Sequence, residues 1–231
     1  MHSSLVYFNP VDEGSEQKTT LSMDKNKQAY NIWAEQYDTN NNKTRDAEGI
    51  ALRKTLDKIV FDNVLEIGCG TGKNSEWFIK KATEVVAVDF SDEMLKKAKT
   101  KIKDSSMRFL QADITEEWTF TNKKFDLVSF SLVLEHIKDL DFIFGEVSKK
   151  TNDKGYVYIG ELHPFKQYSG SLARFDTEKG RVELDCYIHN ISDFFKDAKK
   201  HGFSLVKLNE WFDGDDETVI PRILSLLFCA C

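Results

Sequence analysis

Residues 64–72 read Val-Leu-Glu-Ile-Gly-Cys-Gly-Thr-Gly, and this stretch decides the fold. Its first half is a short apolar run, typical of a parallel strand that is covered on both faces. Its second half is rich in glycine, which lets a ligand approach the backbone closely. The helix predicted from about Gly72 to Lys81 would direct its unpaired N–H groups to the same place. The stretch therefore predicts a strand, a tight ligand-binding turn and a helix.

The spacing of the glycines separates two classes of ligand. Dinucleotide-binding turns follow Gly-x-Gly-x-x-Gly, whereas this turn is Gly-x-Gly-x-Gly, with Lys73 in place of the last dinucleotide glycine. The carboxylate of Glu66 would repel a pyrophosphate and attract an ammonium or sulfonium group. The turn thus favours a cationic ligand, although a glycine-rich turn can also be only a tight connection.

Residues 66–72 resemble the first motif of the class I S-adenosylmethionine-dependent methyltransferases, (Asp/Glu)-x-Gly-x-Gly-x-Gly. The resemblance implies S-adenosylmethionine as the methyl donor and S-adenosylhomocysteine as the product. It also places five residues of this stretch at the donor, namely Glu66, Gly68, Cys69, Gly70 and Gly72.

A second predicted strand, Glu84 to Asp89, ends in an acid close to the offset of about 20 residues at which such sheets carry a ribose-binding carboxylate. Asp89 is therefore predicted to accept hydrogen bonds from both ribose hydroxyls. Asp89 could instead cap the next helix, but Ser91 competes better for that position because acids follow it in the first turn. The resemblance adds Phe90 and Met94 to the cofactor site.

Two further motifs follow in the order of the family. Asp113 and Ile114, after a third predicted strand, resemble the acid and the apolar residue that hold adenine, although an aspartate there is also a common turn residue. The fourth predicted strand, 125–131, contains Ser129, and with residues 132–137 it resembles the segment at the methionine end of the donor. Strands alternating with helical patterns independently imply a parallel sheet.

An aromatic stripe precedes the first strand. Tyr30, Trp33, Ala34 and Tyr37 lie at helical spacing within the helix predicted over 26–37. The Tyr37-Asp38 pair resembles the one found in the ubiquinone and menaquinone biosynthesis type of methyltransferase. The resemblance implies a helix that covers the site, with Tyr37 at the cofactor and Tyr30 at the substrate. Ordinary core packing explains the stripe equally well.

The segment after the fifth predicted strand provides the substrate candidates. His163 should lie beyond the carboxyl end of the sheet, where open α/β sheets bind ligands, and histidine can take a proton near neutral pH. His163 is accordingly the predicted catalytic residue. An insertion over 162–189 predicts a substrate cover or an oligomer interface, with Tyr168, Arg174 and His189 as substrate contacts.

Composition excludes several classes of protein. The 231 residues carry a net charge of −6 without a basic aromatic stripe, which argues against nucleic acid. Four cysteines lack metal-ligand spacing, and the acidic loop at 213–217 does not follow a calcium-loop pattern, so no metal is expected. No signal peptide or membrane-spanning run is present in the sequence, and a reduced, cytoplasmic protein is expected.

The sequence therefore predicts a Rossmann-like α/β fold, with the family implying a seven-stranded, mostly parallel sheet in the order 3-2-1-4-5-7-6, an antiparallel last strand and helices on both faces. Residues 1–22 are interpreted as a polar extension and 23–231 as one domain, which acts as a monomer or homodimer. The expected function is methyl transfer to a small-molecule acceptor. A nicotinamide-dependent oxidoreductase and a non-catalytic regulator that binds S-adenosylmethionine are the alternatives.

Overall fold

The computed structural model describes residues 24–178, 180–214 and 216–230, so the extension predicted over 1–22 lies outside the described residues. The helices are α1 (24–33), α2 (Lys43–Leu56), α3 (Ser75–Phe78), α4 (Asp92–Lys101), α5 (Leu140–Lys150), α6 (Pro164–Tyr168) and α7 (Ile191–Lys200), with a 3-10 turn at Leu134–His136. The strands are β1 (Asn63–Ile67), β2 (Glu84–Asp89), β3 (Met107–Gln111), β4 (Phe125–Ser131), β5 (Thr151–Leu162), β6 (Arg174–Thr177), β7 (Gly180–Glu183), β8 (Phe203–Trp211) and β9 (Ile223–Ala230).

Seven strands form one sheet in the order β3-β2-β1-β4-β5-β9-β8, while β6 and β7 form a separate hairpin. Strands β1 to β5 pair in parallel, and β9 runs antiparallel to both β5 and β8. The predicted order 3-2-1-4-5-7-6 is confirmed, because the last two strands of the sheet become β8 and β9 once the hairpin is counted.

Alternate side chains of the central strands pack on the two faces of the sheet. On β2, Val86 and Val88 join a large apolar cluster that includes Phe144 of α5 and Phe194 of α7. Val85 points to the opposite face and packs in a second cluster with residues of α2 and α3. Burial on both faces explains why these strands read as continuous apolar runs.

The local predictions differ from the structure mainly at helix ends. The helix predicted from Gly72 to Lys81 is α-helical only over Ser75–Phe78, with hydrogen-bonded turns on either side. Gly72 has φ +83°, which a right-handed helix does not contain, so the helix begins later. The helix predicted over 26–37 ends at residue 33 and continues as turns to 39.

Within the described ranges, no helix combines the length and the apolar character that crossing a bilayer requires.

Candidate functional site

A cavity of about 600 Å³ lies at the carboxyl ends of β1, β2 and β3. Its position is the edge at which open α/β sheets bind ligands. Most of the wall is apolar. Its lining residues are Tyr30, Tyr37, Ile67, Gly68, Gly70, Val88, Asp89, Phe90, Met94, Ala112, Asp113, Ile114, Val133, His136 and Ile137.

The glycine turn after β1 forms one wall of this cavity. Gly68 has φ +68°, and a Cβ built there would lie 2.2 Å from Cγ2 of Val133. Gly70 has φ +54°, and its amide donates a hydrogen bond of 2.7 Å to Oδ2 of Asp89. Both positions therefore need glycine, the first for space and backbone conformation, the second for conformation and an open approach to the backbone.

Asp89 lies where β2 ends and is only 7% exposed. Besides the Gly70 amide, it accepts a 2.9 Å hydrogen bond from the amide of Ser91 through Oδ1. Burial raises the pKa of Asp89 to about 6, although the bonds from Ser91 and Gly70 oppose that rise. Ser91 caps α4 as expected, since its hydroxyl accepts from the amide of Met94.

The far end of the cavity contains the residues predicted to hold adenine. Asp113 is exposed, and its Oδ1 accepts bonds from the amide and hydroxyl of Thr115 at 2.9 and 2.6 Å. Ile114 is buried and belongs to the main core cluster beside this wall. Phe90 faces the ring of Tyr30 with centroids 5.7 Å apart. The structure thus places an acceptor, an apolar side chain and an aromatic ring around one end of the cavity.

A second cavity of about 390 Å³ lies on the other side of the glycine turn and is lined by charged residues that include Arg45, Glu48, Glu66 and Lys73. Glu66 accepts a 2.5 Å hydrogen bond from the hydroxyl of Ser75. Burial raises the pKa of Glu48 to about 7 and the pKa of Glu66 to about 8. Cys69, Gly68, Gly70 and Tyr37 also line this cavity, so the turn separates an apolar compartment from a polar one.

Asn74 lies between these carboxyl groups and the sheet edge. Its Nδ2 donates to Oε2 of Glu48 at 3.1 Å and to the hydroxyl of Ser131 at 3.2 Å. Its Oδ1 is buried and has no hydrogen-bond partner among the described residues. The lining of the second cavity thus combines Asn74 with two acids and a guanidinium group.

Helix α1 and the turn after it cover the first cavity, and the β6–β7 hairpin packs against α1. The ring of Trp33 stacks on that of Phe175 with centroids 4.7 Å apart and planes 11° from parallel. Asn26 clamps the same two segments, because its side-chain amide donates to the carbonyl of Asp185 and accepts from the Asp185 amide, both at 2.9 Å. The side chains of Tyr30 and Tyr37 form the inner surface of this cover.

His136 lies at the wall of the first cavity, in the 3-10 turn that follows β4, and it was not among the predicted site residues. Its Nε2 is 2.9 Å from the hydroxyl of Tyr30. The signal that could have found it is its position just after a parallel strand, at the ligand-binding edge. The second cavity also contains residues that were not among the predicted site residues, namely Arg45, Glu48 and Asn74. In the sequence they lie before or after the recognised motifs.

His163, the predicted catalytic residue, does not line either cavity. It is fully buried at the N-terminus of α6, where its Nδ1 accepts from the amide of Phe165 at 3.2 Å. Its Nε2 lies 2.9 Å from Oε1 of Glu210 on β8, and burial lowers its pKa. The catalytic role of His163 stays a prediction, and its surroundings are those of a helix cap.

Five other predicted residues also lie outside the two cavity linings, namely Gly72, Ser129, Tyr168, Arg174 and His189. Tyr168 and Arg174 are exposed, and the Tyr168 hydroxyl donates to Asn190. The Nε2 of His189 lies 2.7 Å from the carbonyl of Ile137, so it supports the segment that carries His136. The hydroxyl of Ser129 is buried without a hydrogen-bond partner among the described residues. Their functional roles stay predictions.

Among the residues that the structure describes, no group of three or more His, Cys, Asp or Glu side chains is arranged to hold a metal ion.

The buried acids make stability depend on pH in an unusual direction. Burial raises the pKa of Asp89 to about 6, Glu48 to about 7, and Glu66 and Glu161 to about 8. Between about pH 5 and pH 8 the folded protein therefore binds more protons than the unfolded chain, and stability falls as pH rises. We expect the urea midpoint to be lower at pH 8 than at pH 5.

The variant Glu66→Gln removes one of the groups whose pKa is raised, so its stability should depend less on pH. Each unit by which the pKa is raised corresponds to about 1.4 kcal/mol of stability. Glu217→Gln, on an exposed loop, is the control and should leave the slope unchanged. A urea midpoint that rises between pH 5 and pH 8 in the wild type would contradict the assignment of buried, protonated carboxyl groups.

Comparison with known proteins agrees with this geometry. Residues 65–159 match the family described as "Methyltransferase domain". A malonyl-[acyl-carrier protein] O-methyltransferase from Hamiltonella defensa is 34% identical over 131 residues, covering 57% of this chain and 48% of that protein. A ubiquinone biosynthesis O-methyltransferase from Pelagibacter ubique is 31% identical over 153 residues, covering 63% of each. The chain thus spans about half to two thirds of the length of these relatives.

Solved structures show the same fold. An S-adenosylmethionine-dependent methyltransferase from Mesorhizobium loti superposes with a TM-score of 0.67 at 20% identity, covering 79% of this chain and 97% of that one. A DhpI–SAH complex superposes with a TM-score of 0.72 at 20% identity, covering 90% of this chain and 96% of that one.

The fold and the family match together confirm the predicted resemblance: residues 65–159 match the methyltransferase-domain family, in a chain with the class I methyltransferase fold. Within that class, the chain is similar to the O-methyltransferases of ubiquinone biosynthesis.

Proposed function

We propose that this protein is an S-adenosylmethionine-dependent methyltransferase that acts on a small-molecule acceptor. The observation that carries the proposal is the position of Asp89, a buried acid at the end of β2 that faces a glycine turn and an apolar cavity. This combination suits a nucleoside with free ribose hydroxyls. It does not suit a pyrophosphate, because the carboxylate of Asp89 would repel it.

The residues present fit such a donor. A Cβ at Gly68 would clash with Val133, so the turn keeps main chain open where a ligand must approach. The carboxylate of Asp89 would hold the ribose, since charge-assisted hydrogen bonds of this kind contribute about 1.5–3 kcal/mol each. Asp113 would accept from the adenine amino group, and Ile114 would pack on the ring.

The second cavity fits the amino-acid end of the donor. The orphaned Oδ1 of Asn74 and the carboxyl groups of Glu48 and Glu66 would receive an ammonium group. Arg45 would face the carboxylate, with its guanidinium already anchored to the carbonyl oxygens of Tyr37 and Asn40. A cation arriving here favours the ionised forms of the two acids, which offsets their burial.

When bound, S-adenosylmethionine supplies a methyl group on a positively charged sulfur, which is an excellent leaving group. The main tasks of the protein are then to align the acceptor and to exclude water, and such orientation can contribute about 7–11 kcal/mol in favourable cases. The cover formed by α1 and the hairpin would help to align the acceptor and to exclude water, because Tyr30 and Tyr37 line the cavity on that side.

A small acceptor is favoured by the size and chemistry of the enclosed space. The lining of the first cavity contains no lysine or arginine among the described residues, so it offers no cation for a nucleic-acid backbone. The relatives named above act in ubiquinone biosynthesis and on malonyl-[acyl-carrier protein], and both are O-methyltransferases. These names support methylation of an oxygen atom on a small group.

Two measurements test the proposal. Calorimetry should show binding of S-adenosylhomocysteine and no tight binding of NADH, since the opposite result would favour an oxidoreductase. Incubation of a metabolite extract with methyl-labelled S-adenosylmethionine should then give a labelled product in the presence of the protein. Binding of the donor without transfer to any extract would instead favour a non-catalytic regulator and reject the proposed activity.

A further inference from the structure

Tyr30 and His136 form a pair of polar side chains in the otherwise apolar part of the first cavity. The hydroxyl of Tyr30 lies 2.9 Å from Nε2 of His136, and both residues line the cavity. Their rings meet edge to face with centroids 5.5 Å apart. His136 is 6% exposed, so its ring reaches the cavity rather than bulk solvent.

The hydrogen bonds of His136 assign its protonation state. Nδ1 lies 3.0 Å from the carbonyl oxygen of Asp185, which can only accept, so Nδ1 carries the proton. Nε2 is then bare in the neutral ring and accepts from the hydroxyl of Tyr30. Asn26 fixes the Asp185 carbonyl by its two hydrogen bonds to the same residue. The arrangement is that of an oriented base whose lone pair is directed at the hydroxyl of Tyr30, which itself lines the cavity.

The segment that carries His136 is rigidly held. The carboxyl group of Glu161 accepts hydrogen bonds from the amides of Val133, Leu134 and Glu135 at 3.0, 2.8 and 3.3 Å. The side chain of Glu135 places Oε1 3.9 Å from Nε2 of His136. A proton carried by His136 would therefore lie beside the buried carboxyl group of Glu135, whose pKa burial raises.

Tyr30 cannot be the final base. Burial raises the pKa of its phenol well above the ordinary value, so the hydroxyl stays protonated. It can pass a proton on only while it receives another, and His136 is the group within reach that can keep one. The half-buried thiol of Cys186, 3.8 Å from Nδ1, also has a raised pKa, about 12, because of desolvation.

The surroundings of the pair select the kind of acceptor. Its neighbours in the cavity wall are the apolar side chains of Phe90, Val133 and Ile137. The charged residues that line the cavity are the acids Asp89 and Asp113, so an acceptor that arrives as a carboxylate would meet like charge. A neutral hydroxyl on an apolar molecule avoids this repulsion and matches the apolar wall. It is also the kind of acceptor that needs a base.

We propose that Tyr30 and His136 act as a proton relay that deprotonates a neutral hydroxyl acceptor, which makes this an O-methyltransferase for phenol-like substrates. The inference rests on the proposed function. The acceptor oxygen forms its bond to the methyl carbon as the sulfur–methyl bond breaks and the sulfur keeps the electron pair. The acceptor proton passes to the oxygen of Tyr30 while the proton of Tyr30 passes to Nε2 of His136, and the imidazolium later releases it to water.

The test compares two phenols of similar size but different acidity, 4-ethylphenol and 4-nitrophenol, with methyl-labelled S-adenosylmethionine and the full chain. At about pH 8 4-nitrophenol is largely ionised and needs no base. We expect His136→Gln and Tyr30→Phe each to lower kcat for 4-ethylphenol about 100-fold or more, the usual size of general-base effects. With 4-nitrophenol the same variants should lose less than about tenfold, since no proton has to be removed.

His201→Gln and Tyr156→Phe are the matched controls, because they change the same residue types away from both cavities and should retain wild-type kcat. The thermal midpoint and the affinity for S-adenosylhomocysteine show whether each variant is folded. Equal losses with both phenols would reveal a structural role and overturn the relay. Transfer to 4-ethylbenzoate only, or to none of these probes, would also overturn it, whereas failure of the wild type to bind S-adenosylhomocysteine would reject the proposed function itself.

Discussion

Replacing Asp89 with alanine is expected to weaken S-adenosylmethionine binding about 100-fold, which corresponds to about 2.7 kcal/mol. The carboxylate would accept from both ribose hydroxyls, and its loss also leaves the amide of Gly70 without its 2.7 Å partner. Asp89→Asn keeps the shape but loses the charge, so we expect a smaller loss of about tenfold. Calorimetric titration with S-adenosylmethionine measures both effects.

The control for this experiment is Asp104→Ala, which removes an exposed aspartate in the loop between α4 and β3, at the opposite edge of the sheet. It should bind the donor as the wild type does. Because Asp89 carries a pKa of about 6 before the donor binds, affinity in the wild type should also fall below that pH. Undiminished affinity in Asp89→Ala, with the fold intact, would refute the ribose assignment and with it the proposed site.

The second large effect concerns stability. Gly68→Ala is expected to lower the free energy of unfolding by about 2–5 kcal/mol. The left-handed backbone conformation at φ +68° costs about 1–2 kcal/mol for an L-residue. The new Cβ, built 2.2 Å from Cγ2 of Val133, adds about 1–3 kcal/mol of overpacking. Urea denaturation followed by circular dichroism measures the loss.

The double variant Gly68→Ala/Val133→Ala separates the two causes, since it makes room for the methyl group but leaves the backbone strain. It should be more stable than the sum of the two single changes predicts. Gly202→Ala, at φ +84° with no neighbouring atom within 4 Å of the added carbon, is the control for strain alone. Strict additivity of the two single changes would show that the close approach of Val133 does not matter.

The fold was predictable because its signals are local. The apolar run of β1, the glycine turn and the acid that ends β2 are each visible in a short stretch of sequence. The lengths of the helices were less predictable. Helix α3 is short because Gly72 leaves helical backbone geometry, and a glycine that marks a turn does not reveal where the following helix begins.

The positions of Gly70 and Asp89 were predictable because each follows the end of a parallel strand, and the structure brings the two residues together. His163 and His136 show the limit of that reasoning, because each follows a parallel strand. Pro164 starts α6 immediately after His163, and the ring turns to cap that helix under β8. His136 faces the cavity because Asp185, from a distant segment, holds its ring, and sequence spacing contains no information about that contact.

The stacked rings of Trp33 and Phe175 belong to segments about 140 residues apart, and neither segment is part of the seven-stranded sheet. Both rings belong to the apolar cluster that also contains Met94, a residue of the cavity wall. Separating the two rings and the Asn26 bridge leaves every strand of the sheet in place. The cover can therefore loosen without loss of pairing in the sheet, and such loosening would change the surroundings of Trp33, one of the four tryptophans of the chain.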